Sequence, residues 1–282
     1  MTIGDPPGGA PAIELRGATK VFRTPSGAGH TAVRALDLTV EQGEFVAVVG
    51  PTGCGKSTTL TLVSGLEEPT EGEVLVGGRP VAGIPPQVGF VFQQDAVFPW
   101  RTVLSNVMAG PRFRGVPKTE ARDRARDWLR RVGLTAFEGR YPHQLSGGQR
   151  KRVALAQTLV NDPEILLMDE PFSALDVQTR ALMSDELLHL WGGSGTGGRA
   201  SRASVVFVTH DLEEAIALAD KVVVMTAGPA TVKEVFPVPL PRPRKVESVR
   251  LEPRFVEIYR EIWASLGEEV RITRERGAGR AA

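Results

Sequence analysis

One stretch of sequence decides the fold: Gly50-Pro51-Thr52-Gly53-Cys54-Gly55-Lys56-Ser57. It fits the pattern G-x-x-x-x-G-K-[ST], follows the apolar run Phe45–Val49 and precedes the helical run Thr58–Ser64. This context predicts a phosphate-binding loop, whose glycines let backbone N–H groups point at a phosphate beside a helix N-terminus. Lys56 would face the β- and γ-phosphates, and Ser57 would ligate Mg²⁺. We therefore expect a purine nucleoside triphosphate with Mg²⁺, while kinases, GTPases and motor ATPases all stay possible.

The loop residues and Thr58, which follows them, are the predicted nucleotide contacts. Cys54, the single cysteine of the chain, lies inside the loop. It is either a redox-sensitive group or a small side chain that fits the loop. We favour the second interpretation, because nothing in the sequence indicates a lowered thiol pKa. A single cysteine also excludes an internal disulfide and a cysteine-rich zinc site.

A second apolar run, Ile165–Met168, ends in two carboxylates, Asp169 and Glu170. A buried parallel strand would deliver both to the carboxyl edge of the sheet, where open α/β folds bind ligands. Successive side chains of a strand diverge, so we expect the two acids to have different tasks. Asp169 would hold the Mg²⁺ shell, and Glu170 would polarise the attacking water as a general base.

Short apolar runs alternate with helical stretches over most of the chain, which predicts an α/β fold with a mostly parallel sheet. An inserted helical segment is indicated between residues 101 and 141, where Thr119–Leu134 carries apolar residues at helical spacing. We expect a loose tail over residues 1–11 and a mobile surface loop over the glycine- and serine-rich residues 192–204. The prolines of Val238–Arg244 exclude a regular helix there.

An apolar stripe follows on a predicted C-terminal helix. Its members are Phe255, Ile258, Tyr259, Ile262, Trp263 and Leu266. The stripe either packs on the core of its own chain, which we favour, or contacts a second copy or a membrane subunit.

The composition of the 282 residues limits the partners of the protein. A formal charge of +1 gives no global attraction to nucleic acid, so we expect no nucleic-acid partner. No apolar stretch approaches the roughly 18 residues that a spanning helix needs. The first residues show neither the basic nor the apolar part of a secretory signal. We therefore expect a soluble protein of a reducing compartment.

A second anion-binding site is predicted where Leu145-Ser146-Gly147-Gly148-Gln149 precedes the helical run Arg150–Val160. Small residues and N–H groups at a helix N-terminus attract a phosphate. One nucleotide does not need two such sites from one chain. We therefore expect this segment to serve the γ-phosphate of a nucleotide that another copy of the chain holds.

With these motifs, the chain resembles the ATP-binding subunits of ABC transporters over nearly its whole length, and Leu145–Gln149 matches their signature motif. The resemblance implies a RecA-like P-loop core, a small antiparallel β part and a helical subdomain near residues 95–157. It further implies that two copies pair head to tail around two ATP molecules. Lys56 of one copy would then face Ser146 and Gly148 of the other.

Further motifs follow in the order that the family has. Phe22 stands where the family has an aromatic residue that stacks on adenine, although taken alone it would be a core residue. Gln93 matches the Q-loop glutamine, which senses the γ-phosphate and Mg²⁺ and links to the membrane subunit. Ser173–Asp176 matches the D-loop. His210 matches the switch histidine, which contacts the γ-phosphate, although alone it would be a packed residue at a strand end.

The resemblance narrows to the importers of nitrate, aliphatic sulfonates, taurine and bicarbonate. The segments that match this group are Phe92–Asp95, Phe98–Val103, Ala219–Met225 and Val238–Arg244. Gln157 and Thr158 depart from it, since the group more often has Arg-Ala there, and the loop 192–204 is longer than usual. Neither departure touches a predicted phosphate contact. We predict an ATPase domain over residues 12–246 and a C-terminal helical extension over 247–282.

The predicted function is an ATP hydrolase that energises a membrane importer from the cytoplasmic face of the membrane. Its expected partners are a second copy, permease subunits that it moves through the region Gln93–Trp100 and, indirectly, a solute-binding protein. The alternative is a soluble non-transport ATPase that acts as a nucleotide-controlled clamp. A third possibility is a nucleotide-binding module without hydrolysis. The solute stays open, because such subunits do not normally touch it.

Overall fold

The structure is a computed structural model that describes residues 9–23, 29–173, 175–192 and 202–278. Most of the predicted tail over 1–11 and of the predicted loop over 192–204 lies outside the described residues, as does Ala174 of the predicted D-loop. Within these ranges, every helix is too short or too polar to cross a bilayer.

The secondary structure alternates strands and helices along the described chain. The strands are β1 (Ile13–Arg23), β2 (Gly29–Val40), β3 (Phe45–Val49), β4 (Glu71–Val76), β5 (Arg79–Pro80), β6 (Val88–Val91), β7 (Ile165–Asp169), β8 (Ser204–Val208), β9 (Lys221–Met225) and β10 (Val232–Pro237). The α-helices are α1 (Lys56–Val63), α2 (Val103–Val107), α3 (Ala109–Phe113), α4 (Lys118–Arg131), α5 (Gly147–Leu159), α6 (Val177–Gly192), α7 (Leu212–Leu218), α8 (Val246–Val249) and α9 (Pro253–Ala278).

The strands form two sheets. The larger has the order β10-β9-β3-β8-β7-β6, in which all neighbours are parallel except the edge strand β10. The smaller is antiparallel, with the order β2-β1-β4-β5. The predicted α/β fold with a mostly parallel sheet and a small antiparallel part is therefore confirmed.

The central strand β3 is buried along its whole length, because both faces of the larger sheet are covered. Phe45, Ala47 and Val49 belong to a hydrophobic cluster with α6, α7 and α9. Val46 and Val48 belong to a second cluster, which joins the antiparallel sheet and α1. This alternation holds the loop after β3 between two packed layers.

Most of the apolar stripe of α9 packs on its own chain, as favoured above, but the predicted member Trp263 does not, because its 55% exposed ring stacks on Tyr259 at the helix surface. Phe255, Ile258, Ile262 and Leu266 are buried in the same cluster as α6 and α7. The helix continues to Ala278, well past the last predicted member of the stripe.

The helices α2, α4 and α5 share a third cluster, which includes the predicted apolar face of α4. Two predicted helix starts were wrong. The helix α5 begins at Gly147 rather than at Arg150, because the Ser146 side chain caps it, and α1 begins at Lys56 rather than at Thr58.

Candidate active site

The predicted phosphate loop joins the end of β3 to the start of α1. Gly55 has a φ of 124°, and a Cβ there would lie 2.5 Å from the carbonyl oxygen of Ala32, so only glycine fits. The Lys56 side chain is buried, and its Nζ donates to the carbonyl oxygens of Gly50 at 2.8 Å and Pro51 at 3.0 Å. The loop thereby closes around one ammonium group and fixes its charge in place.

The Cys54 thiol is buried in the same loop. Burial is the main reason why its pKa is raised above the usual value, and the nearby Lys56 opposes that effect only in part. A raised pKa keeps the group protonated at neutral pH, which favours the interpretation of Cys54 as a packing side chain.

Four neighbouring parallel strands end at one edge of the sheet, and the residues at or just after their carboxyl ends meet there. Ser57 follows β3, Gln93 follows β6, Asp169 ends β7 with Glu170 next to it, and His210 follows β8. The Ser57 Oγ donates to Asp169 Oδ1 at 3.0 Å. The Oε2 of Glu170 accepts from Gln93 Nε2 at 3.4 Å and lies 3.1 Å from His210 Nδ1. The structure therefore brings these five predicted site residues together.

The backbone of Glu170 has a φ of 42°, in the left-handed region that non-glycine residues seldom adopt. Its N–H donates to the carbonyl oxygen of Val208 at 2.9 Å, and its carbonyl oxygen accepts from Ser173 Oγ at 3.0 Å. These bonds hold the strained conformation, which costs on the order of 1 kcal/mol. The two acids therefore diverge as predicted, one towards Ser57 and the other towards Gln93 and His210.

The donor set fits Mg²⁺ rather than a metal held by protein alone. In the part of the chain that the structure describes, no group of three or more His, Cys, Asp or Glu could hold a metal ion. Burial is the main cause that raises the pKa of Asp169; the neighbouring Glu170 adds to it, and the bond from Ser57 opposes it. A bound cation would favour the charged form of this carboxylate. One hydroxyl and one carboxylate suit Mg²⁺, which completes its shell with phosphate oxygens and water.

The second predicted anion site lies at the start of α5. The Ser146 Oγ accepts from the Gln149 N–H at 3.3 Å, and the Gln149 Oε1 accepts from the Ser146 N–H at 2.9 Å. Ser146 and Gly147 are exposed. This capping box uses the N–H groups of Ser146 and Gln149. The N–H groups of Gly147 and Gly148 lie in the first turn of α5, before the hydrogen bonds of the helix begin.

Comparisons with known proteins bear on this arrangement of sites. Residues 33–173 match the family described as ABC transporter. An uncharacterized ABC transporter ATP-binding protein of Methanocaldococcus jannaschii is 45% identical over 258 residues, which are 92% of each chain. The chain belongs to the ABC transporter family. Because the ATP-binding members of this family are ATPases that bind ATP, the predicted enzyme class is confirmed.

Named relatives confirm the narrower resemblance to the nitrate and bicarbonate importer group. The nitrate import ATP-binding protein NrtD of Synechococcus elongatus is 41% identical over 245 residues, 86% of each chain. The bicarbonate transport ATP-binding protein CmpD of Synechocystis sp. is 40% identical over 249 residues, 87% of this chain and 86% of that protein.

Solved ABC cassettes share the fold. A dimeric bacterial ABC transporter cassette superposes with a TM-score of 0.70 and 32% identity, covering 80% of this chain and 98% of the other. A dimeric cassette in a post-hydrolysis state, bound to ADP and Pi, gives a TM-score of 0.69 with the same identity and coverage. The RecA-like P-loop fold is therefore confirmed.

Two further ABC motif residues have local partners in this structure. Phe22 on β1 is half-buried against the cluster of the antiparallel sheet, with Lys20 Nζ 5.2 Å from its ring centre. Asp176 caps α6, because its carboxylate accepts from the N–H of Thr179 at 2.9 Å and from its Oγ1 at 2.7 Å. These bonds lower the pKa of Asp176. The roles of Phe22 and Asp176 at a nucleotide stay predictions.

Lys151 supports the site and was missed by the sequence analysis. This buried side chain of α5 donates from Nζ to the carbonyl oxygens of Phe92 at 3.2 Å and Gln93 at 2.9 Å, and Asp95 Oδ1 lies 3.3 Å away. It thereby ties the helix that starts at the signature motif to the backbone of the Q-loop glutamine. Its position one turn before the buried Leu155 could have revealed that it faces inwards.

The sequence analysis also missed a group of polar residues next to His210 in the fold, at the start of α7. The Thr209 Oγ1 donates to Glu214 Oε2 at 2.7 Å, and Arg180 approaches Glu214 Oε1 to 3.4 Å and Asp211 Oδ2 to 3.0 Å. Burial raises the pKa of Glu214 to about 7, despite the bond from Thr209. These contacts fix the start of α7 directly after His210.

Proposed function

We propose that the chain is the ATP-hydrolysing subunit of a membrane importer for a small solute such as nitrate, a sulfonate, taurine or bicarbonate. The observation that carries the proposal is the carboxylate of Glu170, which lies against His210 and Gln93 beside the Ser57–Asp169 pair. The printed functions of NrtD and CmpD support the class of solute.

The geometry supports a division of labour among the side chains. The buried Lys56 places its charge at the loop where the β- and γ-phosphates of ATP would lie. The Glu170 carboxylate takes a proton from the attacking water, and His210 orients that carboxylate through its Oε2 and steadies the γ-phosphate. Mg²⁺, which Ser57, Asp169 and Gln93 would hold, supplies charge neutralisation at the phosphate oxygens.

A head-to-tail dimer would complete each site. The exposed start of α5 offers the N–H groups of Gly147 and Gly148, together with Ser146, to a phosphate outside the chain. Solved relatives with this fold are dimeric. We propose that the ATPase domain spans residues 12–246, with the helical subdomain near 95–157 and a C-terminal extension over 247–282.

Exposed aromatic side chains near Gln93 support a contact with permease subunits. Phe92 is 42% exposed, and Trp100 and Phe113 are each 71% exposed. Phe92 and Phe113 line a cavity of about 250 Å³ between β6, α3 and α5. Large exposed apolar groups beside a cavity are typical of a protein interface. Through this contact the subunit would sit at the cytoplasmic face of the membrane, and a solute-binding protein would be an indirect partner.

The substitution Glu170→Gln tests the ATPase part. We expect the variant to bind ATP and to form stable ATP-dependent dimers, while phosphate release falls at least about 100-fold because the general base is lost. The exposed Glu234→Gln is the matched control and should release phosphate as the wild type does. Wild-type turnover of Glu170→Gln would remove Glu170 from the role of base.

The substitution Trp100→Ala tests the transport part, with the exposed Trp263→Ala as the control. We expect Trp100→Ala to reduce co-purification with permease subunits from cells that express the chain, and to leave the ATPase activity of the isolated protein unchanged. Absence of any permease partner, together with turnover that nucleic acid stimulates, would favour the soluble clamp instead.

A further inference from the structure

A cavity of about 480 Å³ lies between the end of α6 and the start of α8. None of the described residues that line it belongs to the candidate active site. Leu188, Trp191 and Pro243 give it apolar walls. Its cationic residues are Arg202, Arg242, Arg244 and Lys245.

The positive charge of this cavity is only partly balanced. Arg242 pairs with Asp220, whose Oδ1 lies 2.6 Å from Nη2 and 3.0 Å from Nε. The carboxylate of Asp185, also on the wall, accepts from the N–H of Val246 at 2.8 Å. Within the described ranges of the chain, neither Arg202 nor Lys245 forms an ion pair, and both are exposed. Cations therefore outnumber carboxylates around the cavity.

A further cation of the wall, Arg244, is 7% exposed and forms no ion pair with any residue that the structure describes. Its Nη1 donates to the carbonyl oxygens of Ile216, Ala217 and Ala219, and its Nη2 to those of Val238 and Leu240. Its buried Nε has no hydrogen-bond partner among the described residues. Burial, and next the charge of Arg242, lower the pKa of Arg244 to about 10. Arg244 therefore adds positive charge to the wall of the cavity.

The indole of Trp191 is held in a fixed position at this cavity. Its Nε1 donates to the carbonyl oxygen of Ala203 at 2.7 Å. The Cζ atoms of Arg242 and Arg202 lie 4.4 Å and 4.9 Å from the ring centre. Cation–π contacts of this kind hold both guanidinium groups over the ring, so apolar surface and positive charge are preorganised side by side.

We propose that this cavity binds a small organic anion with a flat apolar body, such as an aromatic sulfonate or carboxylate. The volume suits a ligand of that size, since small-molecule sites span about 300–1,000 Å³. Arg202 and Lys245 contact the anionic group, Leu188 and Pro243 cover its apolar body, and Trp191 holds Arg202 in place through the cation–π contact. A small inorganic anion would leave these apolar walls uncovered.

Titration calorimetry on the full chain tests the site with 2-naphthalenesulfonate. The neutral 2-naphthalenemethanol has the same rings without the charge, and methanesulfonate has the charge without the rings. We expect one binding event per chain for the naphthalenesulfonate and at least about tenfold weaker binding of both controls, because each lacks one of the two contributions. Equal affinity for either control, or no binding of the naphthalenesulfonate, would overturn the proposal.

Variants and a competitor locate the binding event. Arg202→Ala and Lys245→Ala should each weaken binding about fivefold, the value of one exposed charge contact. Arg122→Ala and Lys118→Ala remove equally exposed cations of α4 and should leave the affinity unchanged. Saturating ADP should not displace the naphthalenesulfonate. Displacement by ADP would assign the binding to the nucleotide loop, and wild-type affinity of the Arg202→Ala and Lys245→Ala variants would equally refute the assignment.

Discussion

The two predicted phosphate sites of the chain differ in how firmly contacts within the chain hold their side chains. At the loop after β3, Lys56 is buried among backbone carbonyls and Ser57 bonds to Asp169. At the start of α5, the side chains of Ser146 and Gln149 accept from each other's backbone N–H groups, and Ser146 is exposed. The first site is thus arranged to bind a nucleotide of the same chain. The second site is exposed and is arranged to contact a nucleotide that another copy holds. Variants at the two sites should therefore separate nucleotide binding from turnover.

The largest effect is expected for Lys56→Ala, which removes the buried charge from the phosphate loop. Turnover should fall about 1000-fold, and ATP affinity should fall with it, because the charge that faces the phosphates is lost. Phosphate release and fluorescent-nucleotide binding measure the two quantities. The exposed Lys118→Ala is the control. ATP affinity equal to that of the wild type would contradict the difference drawn between the two sites.

At the second site, Gly147→Asp should strongly reduce turnover without affecting nucleotide binding by the same copy. Among the described residues, a Cβ at Gly147 would meet only Arg150 Nη2, at 3.9 Å, so the side chain has room. The new carboxylate suits a helix N-terminus but repels an incoming phosphate. We expect a loss of turnover of about 100-fold with ATP affinity unchanged within about twofold. The isosteric Gly147→Asn lacks the charge and should keep most of the activity.

A mixture of the two inactive proteins sharpens this comparison. In a head-to-tail dimer of one Lys56→Ala copy and one Gly147→Asp copy, one site combines both changes and the other carries neither. The mixture should therefore regain at least about tenfold more turnover than either variant alone. If mixing restores nothing, the start of α5 does not serve a nucleotide held by another copy.

Lys151→Met tests the connection between the two regions. Methionine keeps the length of the side chain but loses the bonds to the carbonyl oxygens of Phe92 and Gln93. Since Gln93 bonds to Glu170, we expect kcat to fall about 20-fold while KM for ATP changes little. Lys151→Arg should recover part of the activity. A change confined to KM would show that Lys151 acts on nucleotide binding instead.

The smallest effect concerns Glu214, which lies behind His210. Its pKa of about 7 in the folded protein lies above the ordinary value of 4.5, so the unfolded chain releases this proton first as the pH rises. Its contribution to the free energy of unfolding should therefore fall by roughly 1–2 kcal/mol from about pH 5.5 to about pH 7. In Glu214→Gln this loss should vanish. Chemical denaturation of the wild type and of Glu214→Gln at the two pH values measures this difference. If the free energy of unfolding changes equally with pH in both proteins, the raised pKa is refuted.

Residues with a local signature could be predicted as parts of the site. Ser57, Asp169 and His210 each end or follow an apolar strand, and parallel strands bring their carboxyl ends to one edge. Lys151 and Arg180 carry no such signature. Their partners are carbonyl oxygens and carboxylates distant in the sequence, which only the packed helices bring within reach.

The limits of the helices were harder to predict than their existence. Two adjacent glycines at Gly147 and Gly148 disfavour a helix, yet the reciprocal bonds of Ser146 and Gln149 start α5 there. At the other end of the chain, α9 continues beyond Leu266 because Val270 still packs on the core and Glu269 accepts from the N–H of Ala227 at 2.7 Å. Such long-range contacts have no counterpart in local periodicity.

The Lys151 contact has a consequence for how the two ATP molecules of a dimer would influence each other. The helix α5 begins at the residues offered to the neighbour's nucleotide and carries, one turn later, the ammonium group that holds Gln93 in its own site. A nucleotide bound by one copy would thus restrict the motion of Gln93 in the active site of the other copy. Hydrolysis should accordingly be cooperative in ATP, with a Hill coefficient above one that Lys151→Met lowers towards one.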